Sequence, residues 1–180
     1  MDNPQLRVLI SDIEIQKRVT ELGAQITADY KDGNLILIGI LKGAYIFVAD
    51  LARAIHRPVR MDFMGISSYG KGKTSSGEVK VTKDLDTSIE GANVIIVEDI
   101  VDTGVTLSYL IGLLHNRKPR SIRIAALLDK PDRRLRPVQV SYTGFTIPDE
   151  FVVGYGLDYA EDYRGLKDIC VLSEGEPGGH

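Results

Sequence analysis

The chain has 180 residues, of which 43% are hydrophobic and 26% are charged, and its formal net charge is −3. These values are typical of one soluble globular domain with a full core, and the acidic balance disfavours a nucleic-acid-binding surface. The single cysteine, Cys170, allows no internal disulfide, and no bilayer-spanning apolar run or signal-peptide pattern is evident, so we expect a cytoplasmic protein that does not bind membranes.

The first predicted element is a helix that begins after Ser11 and continues to about Tyr30. Ser11 and Glu14 have the spacing of a capping box, in which each side chain bonds the backbone of the other residue. The apolar residues behind them recur at helical spacing, namely Ile15, Val19, Leu22 and Ile26. This helix carries no evident chemistry.

A buried strand is predicted over residues 35–41, followed by Lys42-Gly43 and a helix whose apolar side reaches Ile55. Loops that follow parallel strands of one sheet lie at the same edge, where open α/β sheets bind ligands. Taken alone, Lys42 is more typical of a solvated loop. Beside a second loop of this kind, it becomes a candidate contact for pyrophosphate.

The next predicted unit is a hairpin over residues 66–85. Alternation at 59–63 predicts a strand, and 78–82 alternates as an exposed return strand. Between them, residues 67–77 are rich in Gly, Ser and Lys, so this loop cannot bury enough apolar surface to be rigid. The hairpin is either an idle surface feature or a lid that closes over a reacting centre.

The most informative stretch is the acidic run that follows the apolar strand 94–97. Glu98, Asp99 and Asp102 come first, then the small turn Thr103-Gly104, and then a helix that Thr106 could cap. The first amides of a helix bind anions, but carboxylates repel them unless they hold a sugar diol or a shared divalent cation. This pattern points to a phosphorylated ribose; the simpler alternative is a solvated strand end before an ordinary helix cap.

The C-terminal third contains one more buried strand, at 122–128, which ends in Asp129-Lys130. The basic turn 132–136 is more typical of a solvated loop than of a functional one, and 138–142 alternates as an outer strand. Residues 147–164 interleave aromatics with glycines. They form either an irregular aromatic cap or a pocket in which Phe151 stacks on a heterocycle.

The run from Glu98 to Thr106 resembles the phosphoribosyl-pyrophosphate signature of type I phosphoribosyltransferases. Leu41-Lys42-Gly43, Ser68-Tyr69, Lys130-Pro131 and segment 147–164 resemble, in the same order, motifs of the hypoxanthine-guanine branch of that family. The resemblance implies one α/β domain over 1–180, with a mostly parallel twisted sheet flanked by helices. It also implies a flexible hairpin lid at 66–85, a small base-binding hood with the terminal strand at 138–172, and a flexible tail at 175–180.

The resemblance further implies transfer of the phosphoribosyl group to N9 of a 6-oxopurine, giving IMP or GMP and pyrophosphate, with Asp102 as the general base at N7. The residues implied for phosphoribosyl pyrophosphate are Lys42, Gly43, Glu98, Asp99, Thr103, Gly104, Val105, Thr106 and Arg164. Those implied for Mg²⁺ are Glu98, Asp99 and Asp158. Those implied for the purine are Lys130, Phe151, Val152 and Asp158, with Ser68 and Tyr69 in the lid. In the resembling family the bond that matches Leu41-Lys42 can be a non-proline cis peptide. The chain departs from the family pattern at Val105, where some relatives carry a cation.

Two alternatives stay open at this point. Some proteins of this fold are regulators that sense phosphoribosyl pyrophosphate without turning it over, and other members act on adenine or orotate. The regulators tend to add a DNA-binding domain or to lose the hood, whereas adenine has no 6-oxo group for Lys130. The preference among hypoxanthine, guanine and xanthine is not predicted, and the family implies either a homodimer or a homotetramer.

Overall fold

Helices and strands alternate along most of the chain, as the residue periodicity predicts. The computed structural model describes residues 5–68 and 79–173. The strands are β1 (Gln5–Ile10), β2 (Leu35–Leu41), β3 (Arg60–Ser68), β4 (Val79–Lys83), β5 (Asn93–Val101), β6 (Ser121–Asp129), β7 (Tyr142–Thr146), β8 (Val152–Val153) and β9 (Ile169–Ser173). The helices are α1 (Asp12–Asp29), α2 (Tyr45–Ala54) and α3 (Val105–His115), with a short 3-10 helix at Pro131–Arg133.

The larger sheet has the strand order β4-β3-β2-β5-β6-β7. Strands β3, β2, β5, β6 and β7 are parallel to one another, and β4 pairs antiparallel with β3. The predicted fold class is therefore confirmed. Because the parallel strands run the same way, the residues that follow β2, β5 and β6 lie at one edge.

Apolar side chains on the two faces of the central strands build two separate core layers. Leu37 and Ile95 pack in the layer that includes α1 and α2, whereas Ile38 and Ile96 pack in the layer that includes α3. Neighbouring residues of a strand point to opposite faces, so a continuous apolar run covers both. These layers hold the sheet edge rigidly in place.

A second, antiparallel sheet with the order β1-β9-β8 joins the two ends of the described chain. The sequence prediction missed β1, because Leu6 and Val8 remain 43% and 53% exposed and give it no buried stripe. The predicted hood range 138–172 includes β7, which belongs to the larger sheet.

Local predictions at the ends of elements had mixed outcomes. The capping box of α1 is confirmed, with the Glu14 amide donating to Ser11 Oγ at 3.3 Å and the Ser11 amide donating to Glu14 Oε2 at 2.8 Å. The prediction that Thr106 caps α3 is wrong, since Gly104 occupies the N-cap position with φ 79°. The outer strand predicted at 138–142 is also wrong in its bounds, since β7 begins only at Tyr142.

Strand β5 is longer than predicted, and this changes the position of its acidic residues. Its pairing with β6 continues through Glu98 opposite Ala126 and Ile100 opposite Leu128. Glu98 and Asp99 are therefore part of the strand, and they do not follow it as the sequence suggested.

Cys170, the single cysteine of the chain, is buried and free. In the part of the chain that the structure describes, no helix has both the length and the apolar composition needed to cross a membrane.

Candidate active site at the carboxyl edge of the sheet

Three loops of the larger sheet and one from the hood come into contact at the carboxyl edge. A Cβ placed on Gly43 would lie 1.8 Å from Asp99 Oδ2, so the loop after β2 touches the acidic end of β5. A Cβ on Gly156 would lie 2.2 Å from the Gly43 carbonyl oxygen, which brings in the hood. After β6, the Lys130 amide donates to the Val101 carbonyl at 2.9 Å. The loops after β2 and β6, the end of β5 and the hood are thus in contact at this edge.

Because of the contact with Asp99, a side chain at position 43 would require the Asp99 carboxylate to move. We expect Gly43→Ala to displace the Asp99 carboxylate and to lower kcat/KM for the sugar phosphate that the resemblance implies about tenfold or more, because small displacements of positioning groups are costly. Steady-state kinetics test this. Gly112→Ala in α3 is the matched control, since its Cβ meets nothing within 4 Å. Equal kinetics for the two variants would contradict the expectation.

Glu98 and Asp99 are partly buried carboxyl groups whose pKa values are raised. Burial raises the pKa of Asp99 to about 6, although the Ile100 amide, which donates to Asp99 Oδ1 at 2.8 Å, opposes the rise. Burial, and then the charge of Asp99, raises the pKa of Glu98 well above its ordinary value. Two adjacent carboxylates that are costly to ionise form a site whose charge a divalent cation can offset.

The raised pKa of Asp99 predicts a stability that falls with rising pH. The carboxyl titrates near its ordinary value of 3.8 in the unfolded chain and at about 6 in the folded one, so the folded state holds the proton more tightly. Its stabilising contribution is complete below the unfolded pKa and is lost as the pH rises through the folded pKa. We expect Asp99→Asn, which retains an acceptor for Ile100, to raise the free energy of unfolding at pH ~7.5 by about 1–2 kcal/mol.

Urea denaturation at pH values from about 4 to 7.5 measures this effect. The gain should be small near pH ~4 and should grow up to pH ~6. Asp32→Asn, at an exposed turn before β2, removes the same charge from a solvated position and should give no such rise. A gain that is the same at every pH would show that ionisation of Asp99 is not its cause.

The turn from Asp102 to Gly104 lines a cavity of about 110 Å³ together with the end of β5 and the start of α3. The Thr103 carbonyl holds the turn by accepting from the amides of Leu135 and Arg136, at 2.8 and 3.0 Å. A Cβ on Gly104 would lie 2.6 Å from the Arg136 carbonyl oxygen, so only glycine fits both this contact and the positive φ. Thr106 and Leu107 of the first turn of α3 line this cavity, and the first amides of a helix have no acceptor within it.

A chain of charged groups joins Asp102 to Lys130. Arg133 Nε donates to Asp102 Oδ1 at 2.7 Å, and its NH1 lies 3.1 Å from Asp149 Oδ2. Asp149 Oδ1 is in turn 3.6 Å from Lys130 Nζ, and Lys130 is only 8% exposed. The sequence reasoning missed this role of the basic turn, which it took to be solvated, because these ion pairs form only in the folded chain. Arg134 also belongs to the site, since its NH1 donates to the Asp102 carbonyl at 2.6 Å.

The loop after β2 is joined to the hood by a second group of charges. Lys42 follows a cis Leu41-Lys42 peptide bond, as expected, and its Nζ lies 2.9 Å from Glu161 Oε2. Lys42 is the largest cause of a lowered pKa at Glu161. Arg164 donates to the Gly156 carbonyl at 2.7 Å and lies 3.3 Å from Asp158 Oδ1. Glu161 carried no signal in the sequence that would have selected it.

In the hood, the ring of Phe151 is exposed to solvent and the side chain of Val152 is buried. Phe151 is 53% exposed, and its ring meets that of Tyr159 edge-on, with centroids 5.7 Å apart. Val152 is 5% exposed and pairs with Val171 of β9. Ser68 is the last residue of β3, and Tyr69 lies outside the described residues, so the predicted lid stays a prediction.

The acidic residues do not form a closed metal cage. Among residues 5–68 and 79–173, no group of three or more His, Cys, Asp or Glu side chains is arranged to hold a metal ion. Mg²⁺ is usually bound in proteins by one or two carboxylates together with waters and substrate phosphates. The half-buried pair Glu98 and Asp99, with raised pKa values and hard oxygen donors, fits that kind of site.

Comparison with known proteins gives consistent matches over nearly the whole chain. The family described as "Phosphoribosyl transferase domain" matches residues 11–160. The hypoxanthine-guanine phosphoribosyltransferase of Bacillus subtilis is 56% identical over 166 residues, which cover 92% of each chain. The bifunctional protein TilS/HprT of Listeria innocua is 51% identical over 172 residues, and the match spans 26% of that longer protein. A crystal structure of a hypoxanthine phosphoribosyltransferase from Staphylococcus aureus is 49% identical, with a TM-score of 0.90, and the match covers 93% of this chain and 91% of that one.

Proposed function

The chain belongs to the phosphoribosyl transferase family, and from this membership we propose the reaction and the residue roles that follow. The protein is a purine-salvage enzyme that transfers the 5-phosphoribosyl group of phosphoribosyl pyrophosphate to hypoxanthine or guanine. The products are IMP or GMP, together with pyrophosphate.

The observation that carries this proposal is the meeting of three different kinds of group at one sheet edge. Asp99 lies against the backbone of Gly43, the N-terminus of α3 opens on a cavity behind Gly104, and the buried Lys130 is linked through charges to Asp102. A ribose, its 5′-phosphate and a polar heterocycle each need one of these environments. The three groups are adjacent, as they are in a nucleotide.

The sugar phosphate is assigned to the acidic strand end and the turn that follows it. The main-chain amides and hydroxyls of residues 103–106 bind the 5′-phosphate, which suits the positive end of the α3 dipole. Val105 contributes its main-chain amide. Where some relatives carry a cation at this position, valine removes only a side-chain contact with the phosphate. Glu98 and Asp99 hold the ribose hydroxyls, and Lys42, Gly43 and Arg164 face the pyrophosphate.

The purine is assigned to the hood and to the loop after β6. Lys130 donates to the 6-oxo group, and Phe151, which is largely exposed, stacks on the ring. The main chain of Val152 and the region of Asp158 face the 2-position, where hypoxanthine, guanine and xanthine differ. A few polar groups at fixed positions in a mostly apolar pocket are enough to orient a bound base.

The reaction consists of a proton transfer and a displacement at the ribose C1. Asp102 accepts the proton from N7, and N9 attacks C1 while the bond to pyrophosphate breaks, with oxocarbenium character in the transition state. Water at C1 would hydrolyse the donor substrate. We assign its exclusion to the hairpin that carries Ser68 and Tyr69, whose tip lies outside the described residues.

The hard oxygen donors of Glu98, Asp99 and Asp158 suit Mg²⁺, and these residues would hold it. When bound, the ion supplies charge neutralisation for the departing pyrophosphate. The carboxylates orient it and contribute no proton. The elevated pKa of Asp99, about 6, indicates a negative charge that a cation would stabilise.

A pyrophosphate-release assay with each purine offered separately tests the function. We expect turnover with hypoxanthine and guanine that requires Mg²⁺, and little turnover with adenine, which lacks the 6-oxo group. Binding of phosphoribosyl pyrophosphate without turnover of any base would instead support the regulator alternative. We also propose that the chain assembles as a homodimer or homotetramer in the cytoplasm; light scattering of the purified protein measures the assembly.

A further inference from the structure

The carboxylate of Glu161 joins the two cations that the proposed function assigns to the pyrophosphate. Glu161 Oε2 lies 2.9 Å from Lys42 Nζ, and Oε1 lies 3.5 Å from Arg164 NH2. Each oxygen of one carboxylate therefore meets a different cation. Two oxygens of a phosphate group would need the same donors, so Glu161 and a bound pyrophosphate compete for them.

The backbone of Glu161 is fixed while its side chain is free to move. The Glu161 amide donates to Asp158 Oδ2 at 2.9 Å, and φ is 51° at Ala160 and 70° at Glu161, a region that residues other than glycine rarely adopt. The Glu161 side chain is 66% exposed. It can therefore rotate into water when another anion takes its place, without any change in the fold.

Arg164 does not depend on Glu161 for its position. Its NH1 donates to the Gly156 carbonyl at 2.7 Å, and its NH2 lies 3.3 Å from Asp158 Oδ1. These contacts remain when the Glu161 contact is lost. Removing the Glu161 charge should thus leave this cation in place and remove a competitor, so the expected effect on pyrophosphate binding is an increase in affinity.

We propose that Glu161 is a displaceable carboxylate that occupies Lys42 and Arg164 in the absence of pyrophosphate and competes with the pyrophosphate group for them. The proposal rests on the proposed function for the roles of those two cations. Glu161 then acts as a competitor for these two cations and not as a catalytic residue. It keeps the like charges of Lys42 and Arg164 paired before the substrate binds, and it returns to them as the pyrophosphate product departs.

Glu161→Gln tests the proposal, because glutamine keeps the size of the side chain and removes its charge. We expect the Kd of inorganic pyrophosphate with Mg²⁺, measured by calorimetry, to fall about three- to tenfold, in line with the loss of one exposed ion pair with Lys42 and one partly exposed ion pair with Arg164. The KM for phosphoribosyl pyrophosphate should fall in parallel, and kcat should not rise. A purely structural role for Glu161 predicts the opposite sign, with weaker binding and a higher KM. An unchanged or increased Kd overturns the proposal.

Asp162→Asn is the matched control. It removes the same charge from the adjacent exposed residue, and in the described part of the chain Asp162 forms none of the ion pairs of Lys42 or Arg164. Its pyrophosphate Kd should change less than twofold if only general charge is altered. If wild-type protein turns over no purine, the proposed function fails. If it does, but Glu161→Gln binds pyrophosphate no more tightly, only the competition fails.

Discussion

Replacement of Asp102 by asparagine is expected to lower kcat about 10²- to 10⁴-fold, which is the usual contribution of a positioned proton acceptor. Asparagine retains an oxygen that can accept from Arg133 Nε, which now lies 2.7 Å from Asp102 Oδ1, so the turn should keep its shape. Binding of phosphoribosyl pyrophosphate should therefore change little. Single-turnover kinetics together with a direct binding measurement separate the two quantities.

Asp132→Asn serves as the matched control for this variant. Asp132 lies in the short 3-10 helix after Lys130 and is exposed, so its replacement removes an equal charge close to the site. Near-normal turnover in the control combined with a large loss at Asp102 supports the proton-acceptor role. Unchanged turnover in Asp102→Asn would remove that role and leave Asp102 as a structural partner of Arg133.

Loss of the ammonium group at Lys130 should have the second-largest effect. The Lys130 side chain is 10% exposed, and its ammonium group lies 3.6 Å from Asp149 Oδ1. A hydrogen bond from a charged donor contributes about 1.5–3 kcal/mol, so Lys130→Ala should raise the KM for hypoxanthine and guanine about 10- to 150-fold. The KM for phosphoribosyl pyrophosphate should stay within about twofold, because Lys130 is assigned to the base alone.

Lys130→Met distinguishes the charge from the packing of the side chain. Methionine retains most of the apolar stem, so an effect similar to that of Lys130→Ala assigns the loss to the ammonium group. Asp149 also pairs with Arg133, whose NH1 lies 3.1 Å from Asp149 Oδ2. Neither variant therefore leaves the Asp149 carboxylate without a cation. Equal losses of affinity for base and sugar phosphate would count against a base-reading lysine.

Sequence reasoning located the turn that we assign to the phosphate because the signals of a turn are local. Thr103 and Gly104 form a turn between a strand and the start of a helix, a sequence pattern typical of phosphate sites. The close contact with the Arg136 carbonyl requires glycine at position 104. Burial of the neighbouring strand followed from its apolar run. The predicted cap at Thr106 was wrong, since the left-handed Gly104 is the N-cap and the helix begins two residues earlier than a cap at Thr106 would give.

The ion pairs of Arg133 and Glu161 could not be predicted from residues close together in the sequence. Glu161 pairs with Lys42 across 119 residues, and Arg133 pairs with Asp102 across 31. A charged residue in an exposed loop has the same local signature whether it is solvated or paired. Strand β1 was missed for a related reason, because its exposed side chains leave pairing with β9 as its main signal.

By itself, the amino-acid sequence determined the α/β class, most strands and helices of the larger sheet, the acidic strand end, the turn that we assign to the phosphate, and the family resemblance. Each of these depends on residues close together in the chain, through side-chain periodicity and turn chemistry. Only the tertiary structure decided which charges meet, how deeply Glu98 and Asp99 are buried, and that Gly43 lies against a carboxylate. Those facts depend on the packing of distant segments, and the acidity of a carboxyl group is set by the atoms around it in space.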